Sequence, residues 1–175
     1  IFSFFALYFI QCAQEQRAKS FNVQSTNANI VLHIDVNNKV VWSIKDKDQI
    51  ITEPSSISLQ LQYEMLGDNA VITSSKTEKV NNTITAINYI KATIPDNYTQ
   101  LTLNCKSDYG LIFRVYDDAV AYRFFTRKKD SIIVKNEEAN FNFTNDDSAF
   151  IPVHWDYRAG QNFNSSFDAL YHHIT

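Results

Sequence analysis

The chain has 175 residues, of which 45% are apolar and 14% aromatic, and its formal net charge is −3. That is one domain, or a large piece of one, with enough apolar mass for a real core and too much for a disordered segment. The acidic balance argues against a nucleic-acid binder, which would normally carry a basic stripe. The tightest basic cluster, Arg127-Lys128-Lys129, reads as a solvated loop.

The first stretch is a different material from the rest. Ile1–Ile10 is almost wholly apolar and runs into Gln11-Cys12-Ala13. It reads as the h-region of a secretory signal, with Ala13 at the cut and Gln14 as the new N-terminus. About ten apolar residues are too few to span a bilayer. A buried strand or core helix is the alternative. Phe9-Ile10-Gln11 lacks the small residues of a lipoprotein site before Cys12. With no initiator Met and no basic n-region, the sequence is expected to begin partway through its signal. The expected organisation is a partial signal peptide over 1–13 and a sandwich domain over 14–175, periplasmic or secreted, with no transmembrane segment beyond the signal.

Short alternating runs then follow, separated by Asn, Asp and Ser, with three Gly and three Pro in the whole chain. Ala28–Val36 places Ile30, Leu32, Ile34 and Val36 on one face. Asn37-Asn38 can turn, because Asn tolerates positive φ, and Lys39–Lys45 returns. Ile57–Gln62 turns Ile57, Leu59 and Leu61 inward. Thr83–Ala92 and Gln100–Cys105 are further strands, and the second makes Cys105 a buried strand residue. Ser131–Lys135, Asn140–Phe143 and a segment near Phe150 complete the series, and only Phe167–His172 suggests a helical turn. Roughly eight to eleven short strands with no strong helical period imply an all-β antiparallel sandwich. The sequons at Asn81, Asn97, Asn142 and Asn164 mark exposed loops only in a host that glycosylates.

The strongest local signal is a hairpin. Tyr109–Tyr116 runs in and Ala119–Phe125 runs out. With Asp117-Asp118 as a two-residue turn, Val115 faces Val120 and Phe113 faces Tyr122. One face collects Leu111, Phe113, Val115, Val120, Tyr122 and Phe124. The other carries Ile112, Arg114, Tyr116, Ala119, Ala121, Arg123 and Phe125. A one-residue slip would drive the arginines into the core face, so the pattern argues for this register. The second face is half polar, which suits a sheet covered by another layer. There Arg114 and Arg123 would need carboxylate or carbonyl partners.

The string Leu111-Ile-Phe-Arg-Val-Tyr-Asp-Asp-Ala-Val-Ala-Tyr-Arg-Phe124 resembles the hairpin in the N-terminal domain of glycoside hydrolase family 97. Members commonly carry Phe-Arg-Val-Tyr-Asp-Asp-Gly-Val-Ala-Phe-Arg-Tyr there, so Ala119 stands where Gly is usual. Asn29–Ile34 resembles the family's opening strand, and Ile50-Ile-Thr-Glu-Pro-Ser55 with Leu59 a following segment. Phe141-Asn-Phe143, Trp155 and Phe167-Asp-Ala-Leu-Tyr171 resemble later elements. The likeness spans about Phe21 to Thr175. It implies a galactose-mutarotase-like sandwich, incomplete at its C-terminal end, packed on a downstream (β/α)₈ barrel. It also implies a calcium-dependent exo-acting α-glycosidase acting on α-glucosides or α-galactosides. The catalytic carboxylates would lie in the barrel. A calcium glutamate would come from a Glu-Ala-x-Leu-x-x-Tyr motif that does not occur before Thr175. No catalytic or metal residue therefore carries over to this chain. The alternative is a stand-alone carbohydrate-binding or structural sandwich, and a binding module would need a row of exposed aromatics.

Other groups are weaker candidates. Asp117-Asp118, Asp146-Asp147 and Asp46/Asp48 have the chemistry calcium prefers, but turns account for them. Glu137-Glu138 reads as a solvated loop. His172-His173 would point to opposite sides of a strand, which is awkward for one shared metal ion. His154-Trp155-Asp156-Tyr157-Arg158 is the leading site candidate. An aromatic platform beside hydrogen-bonding groups suits a sugar ring. His154, Trp155, Asp156 and Arg158 are expected to line the barrel interface or the pocket rim. An interdomain or core Trp with surface charges is the alternative.

Overall fold

A computed structural model of the chain describes residues 18–87, 90–145, 148–152 and 171–174. The signal expected over 1–13, Asp146-Asp147, the His154–Arg158 candidate and Phe167–Leu170 lie outside the described residues. The described chain is all β. Its strands are β1 (Lys19–Gln24), β2 (Ile30–Val36), β3 (Val40–Asp46), β4 (Gln49–Leu61), β5 (Met65–Leu66), β6 (Ile72–Thr85) and β7 (Thr93–Cys105). They continue with β8 (Tyr109–Val115), β9 (Val120–Thr126), β10 (Val134–Ala139), β11 (Asn142–Phe143), β12 (Ala149–Pro152) and β13 (Tyr171–Ile174). Every pairing is antiparallel. One sheet has the order β1-β2-β3-β4-β10, with β5 and β11 also on β4. A second runs β6-β7-β8-β9, and β12 and β13 form a separate two-stranded ribbon.

The core is where alternation dictates. Leu32, Ile34 and Val36 of β2, Val40 and Trp42 of β3, and Ile57 and Leu61 of β4 are buried on the first sheet. Leu101, Leu103 and Cys105 of β7, and Leu111, Phe113 and Val115 of β8, meet them from the second. A period of two on each strand hides one face and leaves the other to solvent. β1 lies over β7 and β2 over β8. The Trp42 ring stands 6.2 Å from the Tyr122 ring, which puts β3 opposite β9. The Tyr122 hydroxyl also donates to Glu137 of β10 at 3.4 Å, and Phe124 reaches Gly67 beside β4, so β9 covers part of that side of the first sheet as well.

Several expected elements shift. The Asn37-Asn38 turn forms, with the Asn37 N–H donating to the Lys39 carbonyl at 3.0 Å, but it spans 37–39 without positive φ. Ile57–Gln62 proves to be the end of a strand beginning at Gln49. Thr83–Ala92 is a strand only to Thr85, because β6 begins at Ile72 and the chain turns back before β7. The polar run Ser74–Lys79 gave no alternation to read. It forms a strand because β7 pairs with its full length. The outer half of this β6–β7 hairpin runs past β8, which pairs with β7 only as far as Thr99. Of the segment read as a helical turn, Tyr171 and His172 belong to β13. Glu137 and Glu138 stand in strand β10 rather than in a loop. The described sequon asparagines Asn81, Asn97 and Asn142 stand on β6, β7 and β11, again not in loops.

Candidate functional site

The β8–β9 hairpin adopts the register read from its pattern. Val115 pairs with Val120, Phe113 with Tyr122 and Ile112 with Arg123. The Tyr116 N–H donates to the Ala119 carbonyl at 2.8 Å, closing a two-residue turn over Asp117-Asp118. Neither aspartate nor Ala119 has positive φ, so nothing in this turn demands the glycine usual at position 119. Phe113 is fully buried.

Asp117 acts as a latch. Its Oδ1 accepts from the Thr26 hydroxyl at 2.7 Å and from the Asn27 N–H at 2.9 Å. Thr26-Asn27 forms the turn between β1 and β2, so one carboxylate joins the two sheets at this end. The Thr26 hydroxyl bond is the main reason its carboxyl titrates below the usual range. Asp118 is exposed beside it.

On the outer face, Arg114 is held by side chains. Its Nε donates to Gln100 Oε1 at 2.9 Å, and its guanidinium lies 4.3 Å from the Tyr98 ring centroid. Tyr98 is buried beneath it and stacks 5.1 Å from Tyr116, whose hydroxyl reaches Asp96 at 3.4 Å. The adjacent Tyr116 hydroxyl is the main cause holding Arg114 further above its already high pKa. Gln100 Nε2 passes the network on to Glu78 at 3.1 Å. A side-chain carbonyl thus fills the partner role expected for Arg114. Arg123 has no such partner among the described residues, and no described layer covers this face. Arg114, Tyr116 and Arg123, with Ile112 and Ala121, line a shallow hollow of about 170 Å³.

The first sheet has its own polar centre. Glu138 accepts from Lys39 Nζ at 2.9 Å, Ser56 Oγ at 2.7 Å, Ser58 Oγ at 3.0 Å and Asn140 Nδ2 at 3.1 Å. These bonds, Ser56 first and Lys39 next, hold its carboxyl down at about 2. The sequence offered a signal for this centre: Ser56 and Ser58 alternate with the inward Ile57, so they share the opposite face of β4.

Asp117 Oδ1 and both carboxylate oxygens of Glu138 accept from protein donors, one of them an ammonium. No three His, Cys, Asp or Glu side chains converge among the described residues. The Asp46/Asp48 pair flanks a β3–β4 turn in which Lys47 has a φ of 52°. His172 and His173 are consecutive on β13, and the His173 ring lies 5.1 Å from Phe150. Cys105 is buried as expected, and burial pushes its thiol pKa up, which disfavours the nucleophilic thiolate. The Arg127–Lys129 cluster is more than a solvated loop. Arg127 donates to Asn104 at 2.6 Å, and Lys128 pairs with Glu64 at 2.7 Å.

Comparison with known proteins agrees with this architecture. A retaining alpha-galactosidase of Bacteroides thetaiotaomicron is 28% identical over 165 residues, covering 93% of this chain and 25% of that protein. A Glycoside Hydrolase Family 97 enzyme from Pseudoalteromonas sp. strain K8, solved with acarbose, superposes with a TM-score of 0.66 at 21% identity. That match covers 76% of this chain and 22% of the enzyme. A beta-arabinopyranosidase crystal structure superposes with a TM-score of 0.71 at 19% identity, over 87% of this chain and 26% of its own. The chain spans about a quarter of the length of these relatives. The family model described as Glycosyl-hydrolase 97 N-terminal matches residues 23–175, so the chain belongs to the N-terminal domain family of the family 97 glycoside hydrolases.

Proposed function

We propose that this chain is the non-catalytic N-terminal sandwich of a secreted or periplasmic α-glycosidase, which packs on a downstream (β/α)₈ barrel. The parent would hydrolyse α-glucosides or α-galactosides and depend on calcium held by residues outside this chain. The observation that carries the reading is the family match across residues 23–175, which takes in both sheets. The described side chains are consistent with it. They build latches and stacked networks, and they do not pair an acid with a base across a cleft. The segment His154–Arg158 would then lie at the barrel or the pocket rim.

The test is an assay of aryl α-galactoside and aryl α-glucoside hydrolysis. The 175-residue chain should give no turnover. A protein translated from the same reading frame past Thr175 should turn over at least one substrate and lose activity on chelation. Turnover by the 175-residue chain would overturn the non-catalytic role, and inactivity of the longer protein on both substrates would overturn the parent activity. A stand-alone binding module would need a row of exposed aromatics. The exposed rings Tyr63, Phe141, Phe143 and Phe150 are spread over the β4–β5 connection, the β10–β11 region and the separate ribbon.

A further inference from the structure

On the outer face of the second sheet the charges sort by strand. The strand acids of that face, Asp96 and Glu78, stand on β7 and β6, and each is engaged. Glu78 pairs with Lys76 and accepts from Gln100, and Asp96 accepts from the Tyr116 hydroxyl at 3.4 Å. β8 and β9 place Ile112, Arg114, Ala121, Arg123 and Phe125 there, with two cations and no acid. Among the described residues no carboxylate lies within ion-pairing reach of either guanidinium. The chain as a whole carries −3, so this local excess of positive charge runs against its composition.

The register accounts for the hollow between the two arginines. Arg114 stands opposite Ala121, and Arg123 opposite Ile112. The arginines are therefore diagonal neighbours, with Cβ atoms about 7–8 Å apart. Ala121 ends at its Cβ and leaves the space beside Arg114 unfilled, which is the hollow of about 170 Å³. Arg114 is oriented before any ligand arrives, because Gln100 takes its Nε and its guanidinium is seated on Tyr98. Arg123 is exposed and makes no hydrogen bond or ion pair with any described residue. Two guanidinium forks suit a carboxylate or a sulfate, whose oxygens accept in pairs. Ile112 and Ala121 give the hollow an apolar floor, and the Tyr116 hydroxyl adds a polar group at its side. Convergent polar groups beside apolar contact make a small-molecule site, and this one is smaller than the roughly 300–1,000 Å³ of sites for larger ligands. It has room for one ring and its charged group.

Resting on the reading of a carbohydrate-processing parent, we propose that the hollow between Arg114 and Arg123 binds an acidic sugar residue. Its carboxylate or sulfate group sits between the two guanidinium groups, and its C–H face packs on Ile112 and Ala121. Charge complementarity selects this occupant. A neutral sugar would leave both forks without a partner, and a bare anion would leave the apolar floor uncovered. An acidic side chain from elsewhere in the parent is the competing occupant, and it would close the hollow to solutes.

Titration calorimetry, with NMR of the arginine Nε–H groups, tests the proposal. The probes are methyl α-galacturonoside and a sulfated galactose, compared with methyl α-galactoside, acetate and inorganic sulfate. In the 175-residue chain at low salt, at least one acidic sugar should bind saturably and shift the Arg114 and Arg123 signals. The neutral galactoside and the two bare anions should bind at least about 10-fold more weakly. Arg123→Ala removes one fork, and Ala121→Leu fills the hollow with both forks kept. Each should weaken binding of the acidic sugar by about 10-fold or more. Both positions are exposed, so both variants should keep the unfolding midpoint of the unsubstituted chain. Absence of saturable binding, equal binding of the neutral galactoside, or binding unchanged in either variant overturns the proposal. Equal binding of acetate or sulfate would leave an anion site only and overturns it too. So does loss of binding in the protein translated past Thr175, which would make a side chain of the parent the occupant. The two readings fail separately: an active glycosidase whose hollow takes no acidic sugar sinks the site, and saturable binding in a longer protein that turns over no glycoside sinks the glycosidase alone.

Discussion

The inner and outer faces of the β8–β9 hairpin come from the same residues, alternating one by one, yet they are held by different physics. The inner face is packing: Leu111, Phe113 and Val115 are fully buried in the apolar core. The outer face is a polar relay from Glu78 through Gln100 to Arg114, stacked on Tyr98 and open to water. Burial stabilises in proportion to the area hidden, whereas an exposed relay gains little because water competes for each bond. The hairpin motif thus combines a face that makes the fold with a face that is available for other uses.

Substitutions should expose that asymmetry. Phe113→Ala should cost about 3–5 kcal/mol in denaturant unfolding, because it leaves a cavity at the centre of the sandwich. Gly110→Ala comes next. A Cβ there would meet the Leu103 carbonyl at 2.3 Å and the Phe125 ring at 2.5 Å. The carbonyl is backbone and the ring lies where a side chain would stand, so a loss of at least about 1–3 kcal/mol is expected from displacing both. A loss below about 0.5 kcal/mol for Phe113→Ala would show that the inner packing is not decisive.

The outer polar groups should matter less. Glu138 has a folded pKa of about 2 against an ordinary value of 4.5. Its stabilisation is complete above pH 4.5 and is lost as pH falls toward 2. After allowance for solvent screening it is worth about 1–2 kcal/mol. Glu138→Gln should flatten that limb of the stability–pH curve, and an unchanged limb would remove Glu138 as its cause. Arg114→Ala should cost about 1 kcal/mol for the lost stack and hydrogen bond. Arg123→Ala should stay within about 0.5 kcal/mol. Equal losses at the two arginines would erase the distinction between a tethered and a free guanidinium.

What could be read from the sequence followed the range of the forces involved. The alternation of Ile30–Val36 and of Leu111–Phe124 is local, and it yielded those strands, their inward faces and the hairpin register. Most of β6 could not be read, because Ser74–Lys79 is polar throughout and its partners lie twenty to thirty residues away. The same holds for the site. The Asp117 turn was legible, but its bonds to Thr26 and Asn27 are tertiary contacts. Gln100 and Tyr98 beneath Arg114 lie on another strand, and no motif linked them to the hairpin. Glu138 was misread as a loop residue because its four donors come from β4, from Asn140 and from Lys39.

The Asp117 latch also bears on the order in which the chain assembles. Its bond to Thr26 closes a loop of 91 residues. The β2–β3 and β8–β9 hairpins need only short loops, so they can form on the microsecond scale. The latch must wait until both turns exist and the two sheets have found each other across most of the chain. Non-local closure of this kind puts folding in the millisecond-to-second range typical of sandwiches. If its bonds form after the rate-limiting step, a change confined to Asp117 should speed unfolding more than it slows folding, as stopped-flow unfolding and refolding rates would show.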